Sequence, residues 1–326
     1  MTGRPVVIDC DPGIDDALAL LLACASPEID LVGVTTVCGN VRVELTTRNA
    51  LRVLALAGRP DVPVAAGASR ALVRSQPRRA TEVHGADGIG GVPLVDSSST
   101  VDERPAVRFL ADTVLRSADP VTLVAVGPLT NVALFFASYP DQAARLARLV
   151  VLGGSVGAGN VTPAAEFNVW TDPEAAYRVL TDPGLPRGVP TVLIGLEVTE
   201  STAVGETEVG RLRDGGTAGQ QAARMLGHYL GRYQRDLGRP AVVVHDAVAV
   251  AEAVRPGLVR TAPCAVTVDC TDGPGRGSTV VDRDADPDRP GGRPVEVGMA
   301  ADAAEIIGMI VGRIADHRSP LGPPIG

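Results

Sequence analysis

Lysine is absent from this chain: all thirty basic residues among its 326 are arginine. That excludes a P-loop, whose GK[ST] lysine must reach the phosphates. It also excludes phosphohydrolases of the haloacid dehalogenase type, which build on an Asp-x-Asp pair at a strand end but need a lysine downstream. With a net charge of −8, no basic footprint for nucleic acid is present. Aromatic side chains are scarce, at four Phe, four Tyr and one Trp, so a site that must stack a flat ring has few residues to draw on. The five cysteines (10, 24, 38, 264 and 270) are odd in number and lie mostly in apolar segments. They read as reduced interior thiols, not as a disulfide framework or a zinc site. No run approaches the roughly 18 apolar residues of a membrane span, and the first residues lack the apolar stretch of a signal peptide. A cytoplasmic protein without membrane or nucleic-acid partners is expected.

What is present is apolar and alternating. Hydrophobic residues make up 45% of the chain, ample for a large core. Strand-like runs are expected over 6–9, 31–36, 62–65, 121–126, 149–152, 191–194, 264–268 and 278–281. Helical patterns fall over 15–25, 43–57, 104–117, 131–139, 173–181, 217–236, 246–254 and 300–315. Alternating βα units predict an α/β fold, an open, doubly wound, mostly parallel sheet of Rossmann-like type. The Gly/Pro-rich 271–294 reads as a C-terminal β-hairpin region with a long loop. With no linker and no repeat, one domain over 1–318 is expected, followed by a frayed tail over 319–326.

The chemistry concentrates in Asp9-Cys10-Asp11-Pro12-Gly13-Ile14-Asp15-Asp16. An apolar run before it and Ala17–Leu22 after it read as strand, tight turn and helix, which puts four acids at the carboxyl end of a central strand. Open α/β sheets bind ligands there. So many carboxylates repel one another unless a cation sits among them, and a hard divalent ion held by oxygens is the simplest remedy. The bland alternative, Asp15 and Asp16 complementing a helix N-terminus while Asp9 bonds the turn, accounts for two acids better than for four.

Further segments end on polar residues that could face these acids. Thr35-Thr36-Val37-Cys38-Gly39-Asn40 follows the second strand, and Val126-Gly127-Pro128-Leu129-Thr130-Asn131 offers strand-end carbonyls beside a Gly-Pro turn. Gly153–Asn160 is a glycine-rich loop that lacks the helix a phosphate site requires. Asn160, Glu166, Phe167 and Asn168 follow it in a segment of small residues, and carboxylate with carboxamide groups suits sugar hydroxyls. Val244-His245-Asp246 delivers a His-Asp pair at a helix start. His84 sits in a Gly-rich loop expected to be mobile, and Tyr229 and Tyr233 share one helix face. Trp170 reads as core.

Taken together, DCDPGIDDALAL (9–20), TTVCGN (35–40), TRNA (47–50), HGADGIG (84–90), VGPLTN (126–131), EFNVWTDPEAA (166–176), VHDAVA (244–249) and RGSTVVD (276–282) resemble the nucleoside hydrolases of the inosine–uridine-preferring type. The resemblance spreads over nearly the whole chain. It implies a Ca²⁺-dependent hydrolase of the N-glycosidic bond of ribonucleosides, a homodimer or homotetramer serving purine or pyrimidine salvage. By motif position, Asp11, Asp16, Asp246 and the Val126 carbonyl would ligate Ca²⁺, and Asp11 would deprotonate the attacking water. Asp15 and Asn40 would hold the ribose 2′-hydroxyl, Asn168 the 3′ side, and Glu166 with Asn160 the 5′ side. Asp9 would steady the loop, and His245 would protonate the departing base. His84, Phe167, Tyr229 and Tyr233 would face the substrate, with base preference set around 77–90 and 220–240. Two rivals keep the same residues: a Ca²⁺-dependent ribose or nucleoside binder without turnover, and a hydrolase of a modified nucleoside.

Overall fold

The computed structural model describes residues 3–74, 79–182, 188–238, 240–284 and 294–318. The chain opens with β1 (Arg4–Cys10), α1 (Ile14–Cys24), β2 (Ile29–Thr36), α2 (Val43–Leu56), β3 (Val64–Ala66) and α3 (Thr81–His84). There follow α4 (Ala106–Arg116), β4 (Thr122–Ala125), α5 (Thr130–Ser138), α6 (Pro140–Ala143), β5 (Arg148–Leu152), α7 (Phe167–Thr171) and α8 (Pro173–Leu180). Then come β6 (Thr191–Ile194), α9 (Leu196–Thr199), β7 (Ala203–Val204), α10 (Glu206–Arg213), α11 (Thr217–Leu237), β8 (Val242–Val243) and α12 (His245–Val254). The last elements are β9 (Val259–Val268), β10 (Thr279–Asp282), β11 (Pro294–Ala301) and α13 (Ala303–Asp316).

The sheet runs β10-β9-β11-β6-β5-β4-β1-β2-β3. From β3 to β11 every pairing is parallel, while β9 lies antiparallel to both β11 and β10. Within the parallel part the order 3-2-1-4-5-6 reverses direction between β1 and β4. There the connections leave on opposite faces and open a crevice at the carboxyl ends. Strand β1 shows why both faces are filled: Val6 and Ile8 enter one hydrophobic cluster and Val7 the other. Helix α1 is apolar almost all round and is buried from Ile14 to Ala23, as a helix wedged in the middle of a core must be. Its packing partners include α12 and α2.

The expected βα alternation holds, and the observed fold is the α/β sheet that the pattern predicts. Three differences have local causes. The hairpin is β9 with β10, joined across 269–278. An additional strand, β11, is inserted between β9 and β6, with Val295 and Val297 buried. The helix expected from 300 therefore starts at 303, where the Asp302 side chain accepts the Glu305 amide as its cap. The helix expected over 217–236 is α11, so the segment around 220–240 expected to set base preference lies on it up to Leu237. The tail over 319–326 lies outside the described residues. Cys10, Cys38 and Cys264 are buried, Cys24 and Cys270 half-buried, and all five are free. Among the described residues, no helix is long and apolar enough to cross a membrane.

Candidate active site

The strand-turn-helix at the end of β1 is closed by one side chain. Asp16 Oδ1 accepts the Asp11 amide at 3.1 Å and Oδ2 accepts the Gly13 amide at 2.9 Å, so this carboxylate shapes the Pro-Gly turn and caps α1 together. Asp9 ties β1 to its neighbours: its Oδ1 accepts the Thr35 hydroxyl at 2.5 Å and the Asn131 carboxamide at 2.8 Å. Asn131 also donates to the Thr36 carbonyl and accepts the Ala68 amide. Asp9 thus ties the end of β1 to β2 and to the start of α5.

Asp11 points a carboxylate into a gap that only glycine leaves open. Its Oδ2 accepts the Asn40 amide at 2.6 Å, and a Cβ at Gly39 would lie 2.0 Å from that oxygen. A Cβ at Gly127 would lie 2.7 Å from Oδ1, so Asp11 Oδ1 sits beside the Val126–Gly127 turn. Asn40 also donates to Asp16 Oδ2 at 3.2 Å. On the far side, Asp246 enters from the first turn of α12. Ligand oxygens of Asp15, Asp16 and Asp246 lie within 4.8 Å of one another, all three buried. This close triple contains Asp15 where the sequence reading placed Asp11.

Asp9, Asp11, Asp15, Asp16 and Asp246 are all buried, and among the described residues no arginine forms an ion pair with any of them; the His84 ring approaches Asp15 at 4.0 Å. Burial pushes the Asp9 carboxyl up to about 7 and, with the charge of Asp16, Asp15 up to about 8. The same burial lifts Asp11, Asp16 and Asp246, and neighbouring carboxylates add to it for Asp11 and Asp246. Asp9 Oδ2, Asp11 Oδ1 and Asp15 Oδ1 are buried with no hydrogen-bond partner. Orphaned acceptors at this density fit a divalent cation with oxygen ligands. The Val126 carbonyl accepts the Asn168 carboxamide at 2.8 Å and keeps a second lone pair for a metal.

Above these acids is a cavity of about 170 Å³. Its walls hold Asp15, Asn40, His84, Val126, Asn160, Glu166, Phe167, Asn168, Tyr229, Tyr233, His245 and Asp246, whereas Asp11 and Asp16 do not line it. The Glu166 carboxylate caps α7, accepting the amides of Asn168 and Val169, and it also accepts the Gly154 amide. Asn160 is exposed and accepts the Phe167 amide at 2.9 Å. The segment expected to be a mobile loop around His84 is the short helix α3, and His84 is buried. Its Nδ1 accepts the Ile14 amide at 3.2 Å, which leaves the ring proton on Nε2, and burial holds its pKa down at about 3. Its ring lies 5.4 Å from that of Tyr229, which meets Tyr233 edge-on at 4.9 Å. His228 on the same helix is exposed and outside the cavity, and Trp170, expected as core, is half-buried and also outside it.

His245 is half-buried at the start of α12, and burial lowers its pKa to about 4. Its Nδ1 lies 2.8 Å from the Thr199 hydroxyl. The sequence offered no signal for Thr199, nor for Leu196 and Arg79, which also line or support the cavity. All come from short segments without periodicity.

A ribose-sized, carboxylate-floored cavity at the switch point of a Rossmann-like sheet defines a hydrolase site of the nucleoside-processing class. The family model for inosine-uridine preferring nucleoside hydrolase matches residues 6–307, and the chain belongs to that family. It is 41% identical to the pyrimidine-specific ribonucleoside hydrolase RihA of Salmonella paratyphi C, over 85% of this chain and 88% of that protein. It is 42% identical to the non-specific ribonucleoside hydrolase RihC of Escherichia fergusonii, over 86% and 88%. Among solved structures, a plant nucleoside hydrolase superposes with a TM-score of 0.89 at 32% identity, over 96% of this chain and 99% of that one. A purine-preferring ribonucleoside hydrolase from Gardnerella vaginalis gives 0.87 at 33%, over 96% and 98%.

Proposed function

We propose that this enzyme hydrolyses the N-glycosidic bond of ribonucleosides to free base and ribose, with Ca²⁺ as its metal. The observation that carries the reading is the set of five buried carboxylates, three of them with an unpartnered oxygen, beside a cavity lined by carboxamide and carboxylate groups. Asp11, Asp16, Asp246 and the Val126 carbonyl would hold the ion. Asp15, grouped with two of them, stands between that floor and the cavity. A bound divalent ion supplies charge that offsets the carboxylates and Lewis acidity that lowers the pKa of water.

The protein groups do the rest. Asp11 Oδ1, unpartnered and beside the Val126 turn, takes the proton from the attacking water. Asp15 and Asn40 hold the 2′-hydroxyl, Asn168 the 3′ side, and Glu166 with Asn160 the 5′ side. This grip converts binding into orientation of the anomeric carbon. As the C1′–N bond lengthens, positive charge grows on the ribosyl ring, and the buried carboxylates stabilise it where it develops. His245 serves the leaving base, and His84, Tyr229, Tyr233 and Phe167 border the space that the base enters. The same acidity disfavours a 5′-phosphate, so nucleosides are the substrate class. Assembly as a homodimer or homotetramer and a role in nucleoside salvage in the cytoplasm belong to the same proposal, supported by family membership.

The relatives span pyrimidine-specific, non-specific and purine-preferring enzymes, so base preference is read by assay. Reducing-sugar release from inosine, adenosine, guanosine, uridine and cytidine is measured with Ca²⁺ and after exhaustive chelation. Metal-dependent release is expected, and the ranking of bases gives the preference. No release from any of the five with the metal bound would overturn the proposal.

A further inference from the structure

His245 has two ring nitrogens, and only one form of the neutral ring can assist a departing base. With the proton on Nε2 and Nδ1 facing inward, the ring offers a donor to the cavity; with the proton on Nδ1 it offers only a lone pair. The inward contact is the Thr199 hydroxyl, 2.8 Å from Nδ1. That hydroxyl carries one proton and has three acceptors in range: His245 Nδ1, the Leu196 carbonyl at 3.3 Å and the Gly195 carbonyl at 3.5 Å.

The two carbonyls do not need it. Leu196 O already accepts the Glu200 amide at 2.8 Å, and Gly195 O accepts the amides of Val198 and Thr199 at 3.2 and 3.3 Å. His245 Nδ1 is the shortest contact by half an ångström and, among the described residues, has no other donor. Thr199 is itself fully buried on α9, which is anchored at its first residues. The Leu196 amide donates to the Gly154 carbonyl at 3.1 Å, and the Glu197 carboxylate accepts the amides of Val156 and Gly157 at 2.6 and 2.8 Å. The donor is therefore held on a rigid element that also braces the glycine-rich loop of the ribose side.

From this geometry we infer that Thr199 is a positioning residue for the leaving-group step: its hydroxyl donates to His245 Nδ1 and holds the imidazole as the Nε2–H tautomer. The inference rests on the proposed hydrolysis only for its kinetic consequence, since the tautomer exists in the resting protein. His84 reaches the same protonation by another route, with the Ile14 amide donating to its Nδ1. Both rings that line the cavity then present Nε2–H.

The test joins a spectroscopic and a kinetic readout on the full-length, Ca²⁺-supplied enzyme. The protein is labelled with ¹⁵N-histidine, and two-bond ¹H–¹⁵N correlations are read above the ordinary histidine pKa. With four histidines, His245→Gln assigns the resonance. Wild type is expected to show His245 Nδ1 as the unprotonated nitrogen and Nε2 as the protonated one. Thr199→Val is expected to shift the ring toward the Nδ1–H form or a mixture, and Thr199→Ser to keep the wild-type pattern. On a nucleoside that wild type cleaves, Thr199→Val lowers kcat on the order of ten- to a hundredfold, part of what general acid assistance supplies. With p-nitrophenyl riboside, whose leaving group needs no proton, the loss stays within about twofold, and Thr199→Ser restores both. Wild-type His245 protonated on Nδ1, or equal losses on both substrates, overturns the assignment. If wild type releases no ribose from any substrate, the proposed hydrolysis fails while the nitrogen pattern still decides Thr199.

Discussion

Removing the metal should make this protein less stable as pH rises from 6.5 to 8, against the usual behaviour of buried carboxylates in ion pairs. The sign follows from the direction of the shifts. Asp9 and Asp15 have folded pKa values of about 7 and about 8 against 3.8, so the folded state keeps protons that the unfolded chain has already lost. Their contribution is complete at low pH and drains away until the pH passes the folded values. His84 and His245, held at about 3 and about 4, pull the other way, but only up to their ordinary 6.5. Starting at 6.5 silences them. From there Asp15 has about 1.5 units to run and Asp9 about 0.5, and at about 1.4 kcal/mol per unit this is roughly 3 kcal/mol. Asp11 and Asp246 are raised as well and add to it. An unfolding entropy of about 2.1 cal/mol/K per residue gives the 326 residues about 0.7 kcal/mol/K, so Tm should fall by about 4 °C or more. The assay is calorimetry of chelated protein at the two pH values, repeated with excess Ca²⁺. Because ligation displaces protons, the calcium increment should be larger at pH 8 and should close most of the gap. A chelated Tm that holds or rises over this window, or an equal calcium increment at both ends, would refute the account of the acid cluster.

Asp11→Asn should lose nearly all turnover, on the order of 10³-fold or more, while keeping the wild-type circular dichroism and Tm within a few degrees. Wild-type rates in that variant would remove Asp11 from its role. His245→Ala should slow poor leaving bases by on the order of 10²-fold and barely touch p-nitrophenyl riboside; equal losses would show that the ring does not serve the leaving group. Glu252→Ala tests the frame instead of the chemistry. Its buried carboxylate pairs with Arg148 at 2.5 Å and accepts the amides of Gly257 and Val259, so its loss should cost about 3–5 kcal/mol. That is a Tm drop of roughly 4–7 °C in calorimetry, with kcat at 25 °C unchanged, and a drop below 2 °C would show that the pair contributes little to the frame.

How much of this was legible depends on how far each feature reaches along the chain. The strand, turn and helix around Asp9–Asp16 could be read because eight consecutive residues complete them: Asp16 caps Gly13 three residues away, and the apolar runs on either side have nowhere to go but a buried sheet and helix. Strand β11 escaped because its partners, β6 and β9, are chosen by the whole sheet, and its first residues abut a Gly/Pro-rich stretch that reads as loop. Thr199 escaped for a similar reason: it meets His245 across 46 positions from a single turn of helix with no pattern of its own. Asp11 and Asp15 mark a finer limit. Both were seen as acids of the site, but which oxygens cluster with Asp16 and Asp246 depends on the rotation of α1 against α12, which no local spacing encodes. The turn that carries Asp11 and the one that carries Val126 meet only because β1 and β4 pair in register, Asp9 opposite Ala125. At that reversal of strand order the sheet must open. A chain that buries five carboxylates there, with oxygens of Asp9, Asp11 and Asp15 left orphaned, leaves the opening for a cation to fill, and the crowding of four of those acids into residues 9–16 is the physical reason it could be read before the fold was seen.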